Sequence, residues 1–243
     1  MIDLSDRQIA ILKAIIEEYI ETAEAVGSET LDKKYNLGVS PATIRNEMVR
    51  LTNLGLLRQI HTSAGRIPTS IALKFYINQL LKEQELSVAD EVAVKEKIWD
   101  QRNGLGKLLK EATRVLADKT NALALATTNN GDLYHSGYAN ILREPEFFDI
   151  DVTRTVLDTI EDINKIGKIF EKAFGEEIVH ILFGDEVGIE FFEPCGIVFT
   201  NFEDHKGIKG SLGIIGSNRQ DYSRVIPTVK YVGSLVEQII NSW

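Results

Sequence analysis

Residues 40–69 constrain this chain more than any other stretch. Ser40-Pro41-Ala42-Thr43-Ile44-Arg45-Asn46-Glu47 opens a helix, and Leu56-Leu57-Arg58-Gln59-Ile60-His61-Thr62-Ser63-Ala64-Gly65-Arg66-Ile67-Pro68-Thr69 follows close behind it. A serine oxygen can accept from the orphan N–H groups of a first turn, and proline suits the first helical position because its missing N–H has no partner there anyway. Gly55 ends the helix by tolerating a left-handed backbone. Residues 57–60 and Ile67 then make the two sides of a hairpin with Thr62-Ser63-Ala64-Gly65 at its tip, flanked by Arg58 and Arg66. A capped helix followed by a short hairpin carrying arginine, glycine and small residues is the sequence form of a winged helix-turn-helix. DNA is the partner such a module expects.

Within the helix, Ile44, Met48 and Leu51 form the buried stripe, which turns Thr43, Asn46, Arg50 and Asn53 outward together with Ala42. That face is small, polar and cationic. Asn pairs bidentately with adenine and Arg with guanine, Ser and Thr reach phosphates or base edges, and Ala42 lets the backbone approach closely. The expected DNA contacts are therefore Ser40, Ala42, Thr43, Arg45, Asn46 and Arg50 from the helix, with Arg58, His61, Thr62, Ser63 and Arg66 from the wing. Arg45 either reaches phosphate or pairs with Glu47 or Asp32. His61, Thr62 and Ser63 either meet phosphate or serve only as turn formers.

A formal net charge of -9 argues superficially against nucleic acid, but charge acts locally, within a Debye length of about 8 to 10 Å. Between residues 40 and 82 the basic side chains are Arg45, Arg50, Arg58, Arg66, Lys74 and Lys82, and Glu47 is the one acidic side chain among them. Residues 1–39 and 83–243 both carry an acidic excess. Only the segment holding the helix and wing is cationic, and the remainder should repel a phosphate backbone.

The first helix follows Ser5 and spaces Ile9, Leu12, Ile16 and Tyr19 at three- and four-residue steps, one amphipathic face; a short second helix follows Gly27-Ser28. Residues 70–81 return to helical spacing, residues 86–93 are polar and acidic, and residues 94–118 are helical again, with Gly104 and Gly106 weakening the middle. From Asn121 the character changes to short apolar runs at 122–126, 133–138, 178–183, 189–192, 197–202 and 212–215, which read as strands, with helices at 152–174 and at the C-terminal end. The expected fold class is α+β. The expected organisation is a DNA-binding domain over 1–82, a helical linker over 83–120 and an α+β sensor or assembly domain over 121–243.

Other chemistries find little support. His135, His180 and His205 lack metal-ligand spacing, and Cys195, the only cysteine, has no base beside it and excludes an intrachain disulfide. Gly207, Gly210, Gly213 and Gly216 recur every third residue, but Ile208, Leu212, Ile214 and Ile215 make that stretch apolar, so a closely packed strand is favoured over a phosphate loop. Arg219, Asp221, Tyr222 and Arg224 either bind a ligand or form the entry network of the last helix, the favoured reading. Glu190 and Glu193 read as surface charge rather than a paired acid and base. No enzyme, cofactor or metal is expected. No apolar run approaches the roughly 20 residues of a membrane span, and the first residues lack a basic start with an apolar core, so the expected location is the cytoplasm.

At Val39 to Met48, Leu54-Gly55-Leu56-Leu57, His61 to Pro68 and again at Gly213 to Ile226, the chain resembles the heat-inducible transcription repressor HrcA family of bacteria. The resemblance implies a winged-helix domain joined to a GAF-like domain, acting as a homodimer on an inverted-repeat operator upstream of chaperone operons. It also implies that a GroE-type chaperonin keeps the repressor competent. A small-molecule-responsive regulator, with its ligand in the GAF-like domain, is the alternative. The family ordinarily carries a dimerisation insert in that domain, whereas here Ala122 to Ala126 passes within a few residues to Leu133 to Gly137, leaving little room for one. Ser217 and Gln220 also stand where the family usually has proline and methionine.

Overall fold

The structure, a computed structural model, describes residues 3–61, 64–172 and 177–243. The chain separates into two compact units, Met1–Lys82 and Glu83–Trp243.

In the first unit, α1 (Asp6–Thr22) starts on a capping box: Ser5 accepts from the Gln8 backbone while the Gln8 side chain accepts from the Ser5 N–H. Its apolar spacing buries Ile11, Leu12, Ile15, Ile16 and Tyr19. A short α2 (Ser28–Lys34) contributes Leu31, and α3 (Pro41–Asn53) contributes Ile44, Met48 and Leu51. The hairpin strands β1 (Leu57–Arg58) and β2 (Ile67–Pro68) pair antiparallel, Leu57 opposite Pro68 and Arg58 opposite Ile67. Thr69 then caps α4 (Ser70–Gln79), which closes the core with Ala72, Leu73 and Tyr76. This is a winged helix-turn-helix.

The second unit is built on one antiparallel sheet. Two helices, α5 (Val88–Trp99) and α6 (Leu105–Thr120), precede β3 (Leu123–Thr128) and β4 (Leu133–Ser136). There follow α7 (Tyr138–Ile141), a 3-10 turn at Pro145–Phe148, α8 (Ile150–Ile160), α9 (Ile163–Phe170), β5 (His180–Phe183), α10 (Gly184–Val187), β6 (Cys195–Glu203), β7 (Lys209–Ser217) and α11 (Tyr222–Ile240). The strand order is β4-β3-β7-β6-β5. Leu123, Ile215 and Ile197 stand in one row across β3, β7 and β6, and Ala124, Ile214 and Val198 in the next. Successive rows face opposite sides of the pleat. The first row joins Val156, Ile160, Ile166, Ile169 and Phe170 of α8 and α9 in an apolar core. The opposite face is covered by α6 and α11. With both faces covered, β3 is buried at every residue, which is why its first four residues read as an unbroken apolar run.

Three expectations change. Residues 83–120, expected as a helical linker, are helical but group with the second unit, where α6 buries Leu108, Leu109, Ala112, Val115 and Leu116. The expected helix at 152–174 divides where Asp162 accepts from the backbone N–H groups of Asn164 and Lys165 and starts α9 afresh; its last residues, 173 and 174, lie outside the described residues. Residues 189–192 form a turn instead of a strand, with Phe191 at φ 62° and Phe192 fully buried in the apolar core. A residue with positive φ cannot continue a ladder, so Ile189 and Phe192, though apolar, never acquire a strand partner. The glycine-rich stretch is a closely packed strand: a Cβ at Gly213 would stand 2.3 Å from the Val198 carbonyl oxygen.

Candidate nucleic-acid interface

The wing is held by more than its own short ladder. Val26, in the turn between α1 and α2, forms an antiparallel bridge with Arg66: the Val26 N–H donates to the Arg66 carbonyl at 2.9 Å and the Arg66 N–H to the Val26 carbonyl at 2.8 Å. The approach is so close that a Cβ on Gly65 would lie 2.4 Å from the Val26 oxygen, a clash that only glycine escapes. Across the hairpin, Gln59 Nε2 donates to the Ala64 carbonyl at 3.0 Å. The wing is thus fixed to the helical body at its base.

On α3, Ser40 Oγ accepts from the Thr43 N–H at 3.3 Å and lies 3.1 Å from Thr43 Oγ1, so both hydroxyls are occupied in the cap. Ala42, Arg45, Asn46, Arg50 and Asn53 are exposed, whereas Thr43 is half-buried. Glu47 is 2% exposed and forms the hub of a local ionic cluster. Arg7 reaches it at 2.9 Å, Arg50 at 3.2 Å, and Gln8 Nε2 donates to it at 3.2 Å. A buried carboxylate needs this compensation. Glu47 is therefore engaged by Arg7 and Arg50, and Arg45 has neither of the acidic partners open to it in the sequence.

Arg45, Asn46 and Arg58 consequently carry no side-chain hydrogen bond or ion pair among the described residues. Val49, 42% exposed, lies beside them on the helix surface. His61 is exposed, and its carbonyl accepts from the Ala64 N–H within the turn. Thr62 and Ser63 lie outside the described residues. Arg66 is half-buried, with Nε donating to Thr52 Oγ1 at 3.0 Å. A cleft of about 460 Å³ runs between the start of α2, the exposed side of α3 and the wing, bounded by Arg45, Val49, Gln59 and Arg66.

The structure thus separates the expected DNA-facing residues into groups. Arg45, Asn46, Arg58 and His61 are displayed, Ser40 and Thr43 are tied into a cap, and Arg50 and Arg66 hold internal partners. Ala42 is exposed at the start of α3. Sequence reasoning missed Val26 and Arg7. The i,i+3 spacing of Glu47 and Arg50 was a readable signal; no local spacing announces Arg7, forty positions from Glu47.

In the second unit the polar group at 219–224 is an entry network. Arg219 binds Glu144 at 3.1 Å and chelates Glu146, Asp221 accepts from the Ser223 N–H, and the Tyr222 hydroxyl donates to the Asn218 carbonyl. Burial alone would raise the Glu146 carboxyl, but its hydrogen bonds to Arg219 prevail and hold it below the usual carboxylate range. Burial pushes the Cys195 thiol well above its ordinary value, which leaves it protonated and a poor nucleophile. Among the described residues no three His, Cys, Asp or Glu side chains gather as a metal site, and no helix is long and apolar enough to cross a membrane.

Comparison with known proteins agrees with the architecture. A family model described as the winged helix-turn-helix transcription repressor, HrcA DNA-binding, matches residues 3–82, and one described as the HrcA protein C terminal domain matches residues 46–226. Heat-inducible transcription repressor HrcA of Carboxydothermus hydrogenoformans is 25% identical, with 98% of this chain and 99% of that protein aligned. Its counterpart in Clostridioides difficile is 26% identical, with 97% and 99% aligned. The first alignment spans 339 positions against a chain of 243 residues, so many internal positions of that relative have no counterpart here. A crystal structure described as that of a hypothetical protein shares the fold, with a TM-score of 0.79, 20% identity and 99% of each chain covered.

Proposed function

The chain belongs to the HrcA family of heat-inducible transcription repressors, and we propose that it represses by seating α3 in the major groove of an operator, with the wing against the adjacent backbone. It is a DNA-binding regulator, not an enzyme. The observation that carries the geometry is the display of Arg45, Asn46 and Arg58, without side-chain partners among the described residues, on the one cationic segment of an acidic chain. Asn46 reads a base edge, while Arg45 and Arg58 neutralise phosphates.

The operator is an inverted repeat upstream of chaperone genes, bound by a homodimer. One short helix reads few base pairs, and two-fold symmetry doubles them. Residues 129–132 join β3 to β4 directly, and the two strands stay in register from Thr127 opposite Leu133 onward, so pairing of two copies uses a surface other than an insert at that point. A GroE-type chaperonin maintains the competent form, and the protein acts in the cytoplasm. A mobility-shift titration on an inverted-repeat and a scrambled duplex, with and without chaperonin, tests the reading. Preference for the repeat, enhanced by chaperonin, is expected, and equal affinity for both duplexes overturns operator recognition.

One observation favours a ligand-responsive variant of this scheme. A cleft of about 620 Å³ borders the apolar core, lined by Ile169, Val187 and Phe191 together with Lys165, Lys168, Asp158 and Glu190. A small amphipathic acid that raises the melting temperature of the full chain supports that variant.

A further inference from the structure

We infer that Arg66 is a positioning residue that sets the wing against the recognition helix through Thr52. Position alone suggests a phosphate-binding role, since Arg66 is a cation beside the tip of a wing. Its Nε and its backbone are engaged within the unit. Arg66 Nε donates to Thr52 Oγ1 at 3.0 Å, and the same hydroxyl donates to the Met48 carbonyl at 2.8 Å in the last turns of α3. The Arg66 backbone is clamped in both directions to Val26, and the neighbouring Gly65 has no space for a side chain against the Ala25 and Val26 backbone. One residue therefore joins three elements: the turn before α2, the C-terminal part of α3 and the second wing strand. The wing's own ladder is only two residues long on each side and cannot define its angle to α3 alone. Arg58, opposite Ile67, is exposed and has no side-chain partner among the described residues, so it serves as the wing cation that makes no such link.

The inference rests on α3 and the wing meeting DNA together. Its test is a double-mutant cycle in the full-length chain, with Thr52→Val, Arg66→Ala and both changes combined, and with Thr52→Ser as the variant that keeps the hydroxyl. The probe is a duplex selected from a random pool by the wild-type protein, titrated over a series of salt concentrations beside a scrambled duplex.

Thr52→Val and Arg66→Ala should each weaken binding by about tenfold, the scale of one hydrogen bond to a charged group. The double variant should be no weaker than the poorer single one, Thr52→Ser should match wild type, and the salt slope should not move. In the same assay Arg58→Ala should lower the slope by about one. A slope lowered by Arg66→Ala with Thr52→Val silent, strictly additive losses, or no loss in either variant overturns the inference while leaving DNA binding intact. Failure of the wild-type chain to bind any duplex overturns instead the functional reading beneath it.

Discussion

Arg45 and Arg219 carry the same charge to opposite ends. Arg45 stands on the surface of α3 with no acidic partner among the described residues, in a segment where basic side chains dominate. Arg219 is 8% exposed and bound by Glu144 and Glu146 in an acidic unit. A guanidinium that is fully paired holds structure together and has nothing left for a ligand; one that is solvated and unpaired waits for an external anion. The first unit follows the same division within α3, where Arg50 compensates the buried Glu47 and Arg45 does not.

The sharpest way to break this comparison is to truncate both arginines. Arg219→Ala strands the mostly buried Glu146 and should destabilise the second unit by about 3 kcal/mol, read by chemical denaturation. Arg45→Ala should leave stability within about 0.5 kcal/mol and weaken duplex binding. Equal stability losses would erase the distinction.

Gly65→Ala comes next. The added methyl collides with the Val26 backbone, so the wing must shift, at about 1 to 3 kcal/mol in the first unit. Duplex affinity should fall while the second unit melts as before. Asn46→Ala should reduce preference for the selected duplex over a scrambled one by about 1 to 2 kcal/mol, with stability unchanged, if its amide reads a base edge.

The smallest effect is that of acid. The Glu146 carboxyl is lowered in the folded state, so its contribution is present above the ordinary carboxylate value and is lost as pH falls through the folded one. Acid should therefore remove this contribution from the second unit, and Glu146→Gln should flatten that dependence. An unchanged pH profile in the variant would assign the acid sensitivity to other groups.

Much of the fold was legible because it is encoded locally. Ser5 with Gln8, Ser40 with Pro41, and the stripe Ile44, Met48 and Leu51 need only neighbours three or four positions away to declare a helix start and its buried side. The displayed face of α3 followed from the same periodicity. What was not legible depends on distant partners. The Val26 bridge to Arg66, the engagement of Glu47 by Arg7, and the packing of α6 against α11 all join residues far apart in sequence. Residues 189–192 show the limit from the other side: an apolar run carries strand character in composition, but burying Phe192 through a turn satisfies the same hydrophobic demand.

The central claim is that the unpaired cations of α3 and the wing bind the DNA backbone. The salt dependence of duplex binding by wild type and by the Arg45→Ala, Arg58→Ala double variant tests it most directly. The slope of log affinity against log salt should fall by about two, one for each phosphate that is no longer neutralised. A double variant that keeps the wild-type slope contradicts the claim and moves phosphate binding to other residues.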